Sequence, residues 1–288
     1  MHFTGDVVVG VDGSESSAQA AAWALTELVR GRVDAGAALV LTAVVRDGAQ
    51  DGEAVKREKL AALRERLEAL SDDVEIREQV LHGDPAEQLA AAGEDAALLV
   101  IGPHGSKNPA AGRIGTTSRG LPGHALCPAA IQRGEGDEFA STDSHPTSGR
   151  GVVVGLDTSD YAGVAALDAA SYAMDSGEEL TVIVGVDALG DAEAIRAQTE
   201  FDLTWLRSEF PGLTVRADYR PGDPAQILAE AGAGADLLVI GKRGLGRFAG
   251  MSVQLGRTSA QVLDEAQGTV LLVPFRDDER LGRRRLVD

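Results

Sequence analysis

The chain has 288 residues, is 44% hydrophobic, carries a formal net charge of −18 and contains one cysteine, Cys127. A lone cysteine cannot form an internal disulfide, which indicates a reducing compartment, and we expect Cys127 to be a buried small apolar side chain. The apolar runs are too short to span a bilayer, and the first ten residues lack the features of a signal peptide. We therefore expect a soluble cytoplasmic protein, and the acidic charge argues against nucleic acid or a membrane surface as partner.

The sequence contains one domain twice. Residues 7–15 (VVVGVDGSE) match residues 152–160 (VVVGLDTSD) at six of nine positions, and residues 82–102 match residues 221–241 at 14 of 21. Because both matches recur in the same order, they indicate a tandem duplication of one folded unit.

The repeat sets the expected domain boundaries. We predict two domains at residues 1–134 and 151–276, separated by a linker at 135–150 and followed by a charged tail at 277–288. The linker is rich in Gly, Ser, Thr and acidic residues and has no apolar pattern. The tail has four arginines and four acidic residues. We expect this tail to be solvated, and an arm that binds RNA or a protein partner is the alternative.

Apolar patterns in the first domain predict strands and helices in alternation. Short β-branched runs are typical of strands buried on both faces, and leucines at helical spacing are typical of amphipathic helices. The predicted strands cover residues 7–11, 39–45, 74–81, 98–101 and 129–132. The predicted helices cover residues 18–28 after a Ser14 cap, residues 53–70, a segment that begins at Pro85 after an Asp84 cap, and a segment from about Gly115. This alternation predicts a Rossmann-like α/β fold in each domain, an open five-stranded parallel doubly wound sheet flanked by helices.

An acidic residue follows the first strand of each domain. Asp12 ends the first strand, and Asp157 holds the same place in the repeat. Ligands of doubly wound sheets bind beyond the carboxyl ends of the strands, where the winding reverses. We therefore expect both carboxylates to lie in ligand crevices.

A glycine pattern follows the fourth strand of the first domain. It runs Gly102, two residues, Gly105, nine residues, then Gly115, Thr116 and Thr117. Glycine lets a ligand approach the backbone, and amide groups at a helix start favour an anion, so the pattern predicts a phosphate cradle without a P-loop lysine. In a chain with 35 glycines the spacing alone is weak evidence, and tight turns are the alternative interpretation. The position between a strand and a helix favours the cradle.

Both halves resemble universal stress protein domains in tandem, over all of the chain except the linker and the tail. Residues 7–15 resemble the opening strand and acidic residue of that family, and HGDPAEQL at 82–89 resembles the start of its mid-domain helix. The glycine pattern from Gly102 to Thr117 resembles its closing segment. The resemblance implies the adenine nucleotide alpha hydrolase-like form of the fold, with ATP at the strand ends.

The resemblance also implies roles for individual residues. Asp12 would lie near the adenosine and its ribose, and the backbone of Val44 would face the adenine edge. Gly102 and Gly105 would line the ribose and phosphates. Gly115, Thr116 and Thr117 would hold the phosphates, and a divalent cation such as Mg²⁺ would accompany the triphosphate.

The second domain departs from this pattern. Asp157, Val186, Gly241 and Gly244 are kept, but eleven residues separate Gly244 from Gly256. Arg257 then stands where the pattern has Ser or Thr, and Thr258 comes one place later. Cations are concentrated here at Lys242, Arg243, Arg247 and Arg257. Two interpretations remain open: cations replace amides as phosphate ligands, or this second site is degenerate.

The matched residues include no set of nucleophile, base and orienting group, so we expect no enzyme. The favoured function is an ATP-binding regulatory module of a cytoplasmic stress response, with nucleotide in the first domain. The alternatives are a slow ATPase or autophosphorylating protein and a nucleotide-independent interaction scaffold. His104 lies inside the glycine pattern, and we expect it to face solvent, with contact to a phosphate as the alternative.

The final strand of each domain, at 129–132 and 270–273, presents an edge that favours pairing. The family resemblance implies that these two strands pair within one chain as a pseudo-dimer, and that two chains can associate further as a homodimer. The sequence does not specify a regulatory protein partner.

Overall fold

The computed structural model describes residues 5–29, 36–48, 52–105, 114–133, 151–186, 192–244 and 255–284. The chain divides into two compact units, His2–Pro146 and Thr147–Asp288, which we call the first and second domain. The predicted linker at 135–150 and the predicted cation Arg247 lie outside the described residues. None of the helices in the described ranges is both long enough and apolar enough to cross a membrane.

The first domain alternates strands and helices along its described length. Its strands are β1 (Val7–Gly10), β2 (Leu39–Val45), β3 (Ile76–His82), β4 (Leu98–Ile101) and β5 (Ala129–Ile131). Its helices are α1 (Glu15–Val29), α2 (Glu53–Glu68), α3 (Pro85–Ala92) and α4 (Thr116–His124). The strands pair in parallel in the order β3-β2-β1-β4-β5. The winding therefore reverses between β1 and β4, which is where such a sheet binds ligands.

The second domain repeats this arrangement and adds one helix. Its strands are β6 (Val152–Gly155), β7 (Leu180–Val186), β8 (Val215–Pro221), β9 (Leu237–Gly241) and β10 (Val270–Val273). Its helices are α5 (Asp160–Ser176), α6 (Ala192–Glu209), α7 (Pro224–Gly232), α8 (Arg257–Glu265) and α9 (Glu279–Arg284). The parallel order is β8-β7-β6-β9-β10. The predicted open parallel α/β sheet is thus confirmed in both domains.

The central strands are apolar on both faces, as their unbroken β-branched runs predicted. Val7 and Val9 are fully buried, and each residue of β4 is at most 4% exposed. Helices cover both faces of a doubly wound sheet, so no residue of such a strand faces water. Cys127 is also buried, at 5% exposure.

The cap predicted at the start of the third helix is confirmed. One carboxylate oxygen of Asp84 accepts hydrogen bonds from the amides of Ala86, at 2.9 Å, and Glu87, at 3.2 Å. Pro85 occupies the first turn, where a missing N–H costs nothing. Asp223 caps α7 in the same way.

The predicted solvated tail is wrong for the part of it that the structure describes. Residues 279–284 form α9, in which Leu281 is 4% exposed and Arg284 is 7% exposed. The Nε of Arg284 donates to Oδ1 of Asp202 at 2.9 Å, so its charge is paired inside the domain. The sequence pattern does not reveal this pairing, because Asp202 lies 82 residues from Arg284 along the chain.

Candidate functional site

Asp12 is held in a fixed orientation at the carboxyl end of β1. Its Oδ1 accepts hydrogen bonds from the backbone amide of Ser14 at 3.0 Å and from the Ser14 hydroxyl at 2.6 Å. The same hydroxyl accepts from the amide of Ser17 at 3.2 Å and so caps α1, as predicted. The carboxylate is half-buried, and these two bonds anchor its Oδ1.

The loop after β4 approaches Asp12 so closely that side chains are excluded. A Cβ on Gly105 would lie 2.8 Å from Oδ2 of Asp12. A Cβ on Gly102 would lie 2.7 Å from the carbonyl oxygen of Ser16 and also clash with its hydroxyl. Real Cβ atoms essentially never come within 3.0 Å of such atoms, so both positions require glycine. The result is a bare backbone surface beside the carboxylate.

The start of α4 closes the other side of this surface. Gly115 is the N-cap of α4, and its amide donates to the carbonyl of Pro103 at 2.8 Å. The Ser118 hydroxyl donates to the carbonyl of Gly102 at 2.8 Å. No side chain caps this helix start, which leaves its first amides to a ligand or to water. Thr116 and Thr117 occupy the first turn.

Val44 lies at the third side of the crevice. The strand register ends with Gly10 opposite Thr42, and the Val11 amide donates to the Thr42 carbonyl at 2.8 Å. Alternate residues of a strand point their backbone groups to the same side. The backbone of Val44 therefore points past the end of β1. We call Asp12, Val44, Gly102, Gly105 and Gly115–Thr117 the first crevice.

Arg46 is a residue of this crevice that the sequence reasoning missed. One guanidinium nitrogen donates to the Thr117 hydroxyl at 3.1 Å, which places an exposed cation at the start of α4. The available signal was its position directly after β2, at the same sheet edge as Val44. A second cation, Lys59 of α2, covers Gly13, whose Cβ would lie 2.5 Å from the lysine Cδ.

Two buried polar atoms face the glycine loop without a hydrogen-bond partner among the described residues. They are Nδ1 of His104 and the hydroxyl of Ser16. We expected His104 to face solvent, but the residue is half-buried. Buried polar groups are normally satisfied, so each of these two atoms could accept or donate one further hydrogen bond.

The second domain rebuilds the same framework. Oδ1 of Asp157 accepts from the Ser159 amide at 2.8 Å and from the Ser159 hydroxyl. A Cβ on Gly244 would lie 2.5 Å from Oδ2 of Asp157, and one on Gly241 would lie 2.9 Å from the carbonyl of Arg243. We call Asp157, Gly241, Gly244 and the start of α8 the second crevice.

The start of α8 fixes which residues correspond to those of α4. Gly256 is the N-cap, and its amide donates to the Lys242 carbonyl at 3.0 Å. The Ser259 hydroxyl donates to the Gly241 carbonyl at 2.9 Å, as Ser118 does to Gly102. Gly256 is therefore equivalent to Gly115. It follows that Arg257 stands at the place of Thr116, and Thr258 at the place of Thr117. The second crevice therefore lacks one hydroxyl but keeps the rest of the framework.

The structure corrects one correspondence. The Leu156 amide donates to the Ile183 carbonyl at 3.1 Å, as Val11 does to Thr42. Counting two residues onward, Gly185 is the equivalent of Val44, and Val186 is the equivalent of Val45. Val186 was expected at the place of Val44, but the strand register, which depends on pairing between strands, sets that position.

The groups that line the first crevice would suit an anion. Bare backbone, helix amides and the Arg46 guanidinium favour negative charge on one side, and Asp12 faces the other. A carboxylate beside an anion site suits the hydroxyl groups of a sugar, which can donate to it. In the described part of the chain, no three His, Cys, Asp or Glu side chains gather into a metal site.

Residues 4–133 and 150–274 match the model of the universal stress protein family. A universal stress protein of Mycobacterium bovis is 26% identical over 92% of this chain and 96% of its own length. One of Mycobacterium tuberculosis is 28% identical over 94% of this chain and 96% of its own length.

Solved structures of universal stress proteins have the same fold as this chain. The crystal structure of a universal stress protein from Archaeoglobus fulgidus has a TM-score of 0.69 at 19% identity, covering 96% of this chain and 99% of that chain. At that identity the likeness shows the fold, and the sequence matches carry the family assignment. The chain belongs to the universal stress protein family, as a member with two domains in tandem.

Proposed function

We propose that the protein is an ATP-binding regulatory module of the cytoplasmic stress response, with the nucleotide in the first crevice. The observation that carries the proposal is the glycine surface at Gly102 and Gly105, which the Asp12 carboxylate and the uncapped start of α4 enclose. A tight turn alone does not require that Gly105 lie against a carboxylate and Gly102 against the first turn of α1.

The residues of the first crevice fit an adenine nucleotide. The Asp12 carboxylate would accept from the ribose hydroxyls, and the Val44 backbone would bind the adenine edge. The amides of Thr116 and Thr117 would hold the phosphates, with the Gly115 backbone and Arg46 beside them. Bound Mg²⁺ would neutralise part of the triphosphate charge.

The first crevice is the better nucleotide site of the two. It offers two hydroxyls at its helix start, Thr116 and Thr117, where the second crevice offers Arg257 and Thr258. The second crevice has more cationic charge, with Lys242 in the loop itself. A weaker second site for the same anion follows from the retained framework.

Regulation by such a module needs no turnover. A ligand that binds one arrangement of the crevice loops better than another shifts the population toward that arrangement. A partner protein that reads those loops would then sense the ATP level. Pairing of the two domains within one chain and formation of a homodimer are both compatible with this proposal.

The proposal is tested by binding to the purified full chain. Equilibrium dialysis with MgATP is expected to show saturable binding that Gly105→Val abolishes in the first crevice, because the new side chain collides with Asp12. Gly52→Ala is the matched control, since a Cβ at Gly52 meets no atom within 4 Å. Absence of bound adenine nucleotide at millimolar MgATP would overturn the proposal.

The same samples distinguish binding from turnover. Phosphate release that is abolished by Asp12→Ala would favour the slow ATPase. Binding without phosphate release is the expected result.

A further inference from the structure

The C-terminal helix α9 is connected directly to the second crevice. Two nitrogens of the Arg284 guanidinium donate to backbone carbonyls of the loop between β6 and α5: one to Ser159 at 2.7 Å and one to Asp157 at 2.8 Å. The same guanidinium is paired with Asp202 of α6, and both side chains are at most 5% exposed. A residue of the C-terminal segment therefore holds the loop that carries Asp157.

We propose that α9 is a clamp for the second crevice: Arg284 positions the Asp157–Ser159 loop, so that docking of the C-terminal segment and ligand binding in that crevice depend on each other. The ligand half of this inference rests on the proposed function. The positioning half concerns the protein without any ligand.

Helix α6 is built to receive α9. Counted back from the strand that follows, Thr199 and Asp202 of α6 stand where α2 of the first domain has Leu60 and Leu63. All four are buried, so polar groups have replaced leucines in an interior position. Such a replacement costs stability unless the polar groups find partners, and Arg284 is the partner of Asp202.

An aromatic residue extends the same face. Trp205 is 4% exposed and stands where α2 has Arg66, whose side chain is 45% exposed. The indole Nε1 donates to the Arg280 carbonyl at 3.1 Å, and the Arg284 guanidinium lies 5.8 Å from the ring centroid. The second domain thus covers with α9 a surface that the first domain leaves to solvent.

Helix α5 shows the matching adaptation. A Cβ on Gly163 would lie 2.7 Å from a guanidinium nitrogen of Arg284 and 2.8 Å from the side chain of Leu281. Counted from the capping serine, the same place in α1 is held by Ala18. A glycine in a helix interior costs stability relative to alanine. The close approach of α9 accounts for it here.

The clamp gives reciprocal coupling. If docked α9 favours the ligand-binding arrangement of the Asp157–Ser159 loop, then a ligand bound there favours docked α9 by the same factor. Arg284 bonds to the loop of its own domain, so the equivalent loop of the first crevice, at Asp12–Ser14, serves as an internal control.

The first arm of the test uses ligand-free full-length protein and amide hydrogen exchange. Arg284→Lys removes the planar fork but keeps the charge, and Gly163→Ala displaces α9 from the opposite side. Both are expected to speed exchange at Ser159 and Ala162 by on the order of tenfold, without change at Ser14 and Ser17. Gly282→Ala is the control, since a Cβ there meets no atom within 4 Å.

The outcomes of this arm are decisive without ligand. Unchanged exchange at Ser159 and Ala162 in Arg284→Lys overturns the clamp. An equal rise of the exchange rate at Ser14 and Ser17 would show general destabilisation. That result would also overturn the clamp, because the proposed effect of Arg284 is local to the second crevice. The faster exchange must appear with both substitutions, which disturb the contact from its two sides.

The second arm adds MgATP in the Gly105→Val background, so that binding reports the second crevice. Arg284→Lys is expected to weaken this binding about tenfold, and MgATP is expected to slow exchange at Leu281. Binding that is equal with and without Arg284 overturns the coupling. If neither crevice binds MgATP, the proposed function fails, whereas the first arm still decides the positioning role of Arg284.

Discussion

Single residues of the first crevice would have different roles in the proposed nucleotide site. Gly102 and Gly105 contribute no side chain: Gly105 lets the backbone come close to Asp12, and Gly102 lets it come close to Ser16. Arg46 contributes charge at the point where the helix amides of α4 begin. Because Arg46 is exposed, its effect is electrostatic and modest, and it is separable from the packing of the domain.

Arg46→Gln is expected to weaken ATP binding in the first crevice roughly fivefold, the effect of one charge-assisted contact at an exposed site. Adenosine binding is expected to stay the same, because the nucleoside does not reach the start of α4. Calorimetric titration with both ligands measures the difference. An equal loss for adenosine and ATP would show that Arg46 acts on the fold and not on the phosphates.

Asp84→Ala is expected to lower the free energy of unfolding of the first domain by about 1 kcal/mol. The substitution leaves two amides of α3 without their shared carboxylate. Thermal unfolding, followed by circular dichroism, measures the shift in Tm. The control Asp72→Ala removes the same charge from an exposed turn position and is expected to change Tm little.

At the scale of elements, the strands and caps could be predicted because their causes are local. The buried runs at β2 and β4 have the predicted bounds, and the Asp84–Pro85 start of α3 needs only adjacent residues. Helix α9 could not be predicted, since the partner that buries Arg284 is remote in sequence. The Val186 correspondence failed for a related reason, because the strand register depends on pairing between strands.

Only the part of the first crevice that depends on a local sequence pattern could be predicted. The glycine positions follow from a local pattern, and the structure brings them to Asp12 as the strand order requires. No sequence motif distinguishes Arg46, because a single exposed arginine after a strand is common. Its place at the start of α4 depends on how two distant elements meet.

Acid is expected to weaken the start of α9, where Asp278 bonds to Arg280, and the contact of α9 with α6, where Glu209 bonds to Arg283. The hydrogen bond from Arg280 lowers the pKa of Asp278, and that from Arg283 lowers the pKa of Glu209. A pKa that is lower in the folded state contributes stability above the unfolded value, near pH 4, and loses it as the pH falls through the folded value. Asp168 acts in the opposite direction, because burial raises its pKa despite the Arg276 guanidinium.

This acid response can be followed by the fluorescence of Trp205, which is buried and bonded to the Arg280 carbonyl. A Trp23→Phe background leaves Trp205 as the reporter. The emission is expected to change below about pH 4. Asp278→Asn is expected to shrink the change by removing one of the two titrating groups. An emission that is constant down to the pH of global unfolding would show that these carboxylates do not hold α9.

At the scale of the whole molecule, a charge of −18 opposes the binding of a polyanion such as ATP. The long-range repulsion is screened by salt, since the Debye length falls to about 8 Å at 0.15 M ionic strength. Contacts between the phosphates and the start of α4 act over a much shorter distance and are screened less. The two influences therefore respond differently to ionic strength.

ATP affinity is accordingly expected to stay level or to rise as ionic strength increases from about 0.02 to 0.15 M. Nucleotide sites on basic surfaces would show a fall over the same range. Adenosine, which carries no charge, is the control and is expected to bind equally at both salt concentrations. A steep fall in ATP affinity with salt would mean that Arg46 and its neighbouring cations outweigh the field of the acidic surface, and Arg46→Gln would then have to remove most of that salt dependence.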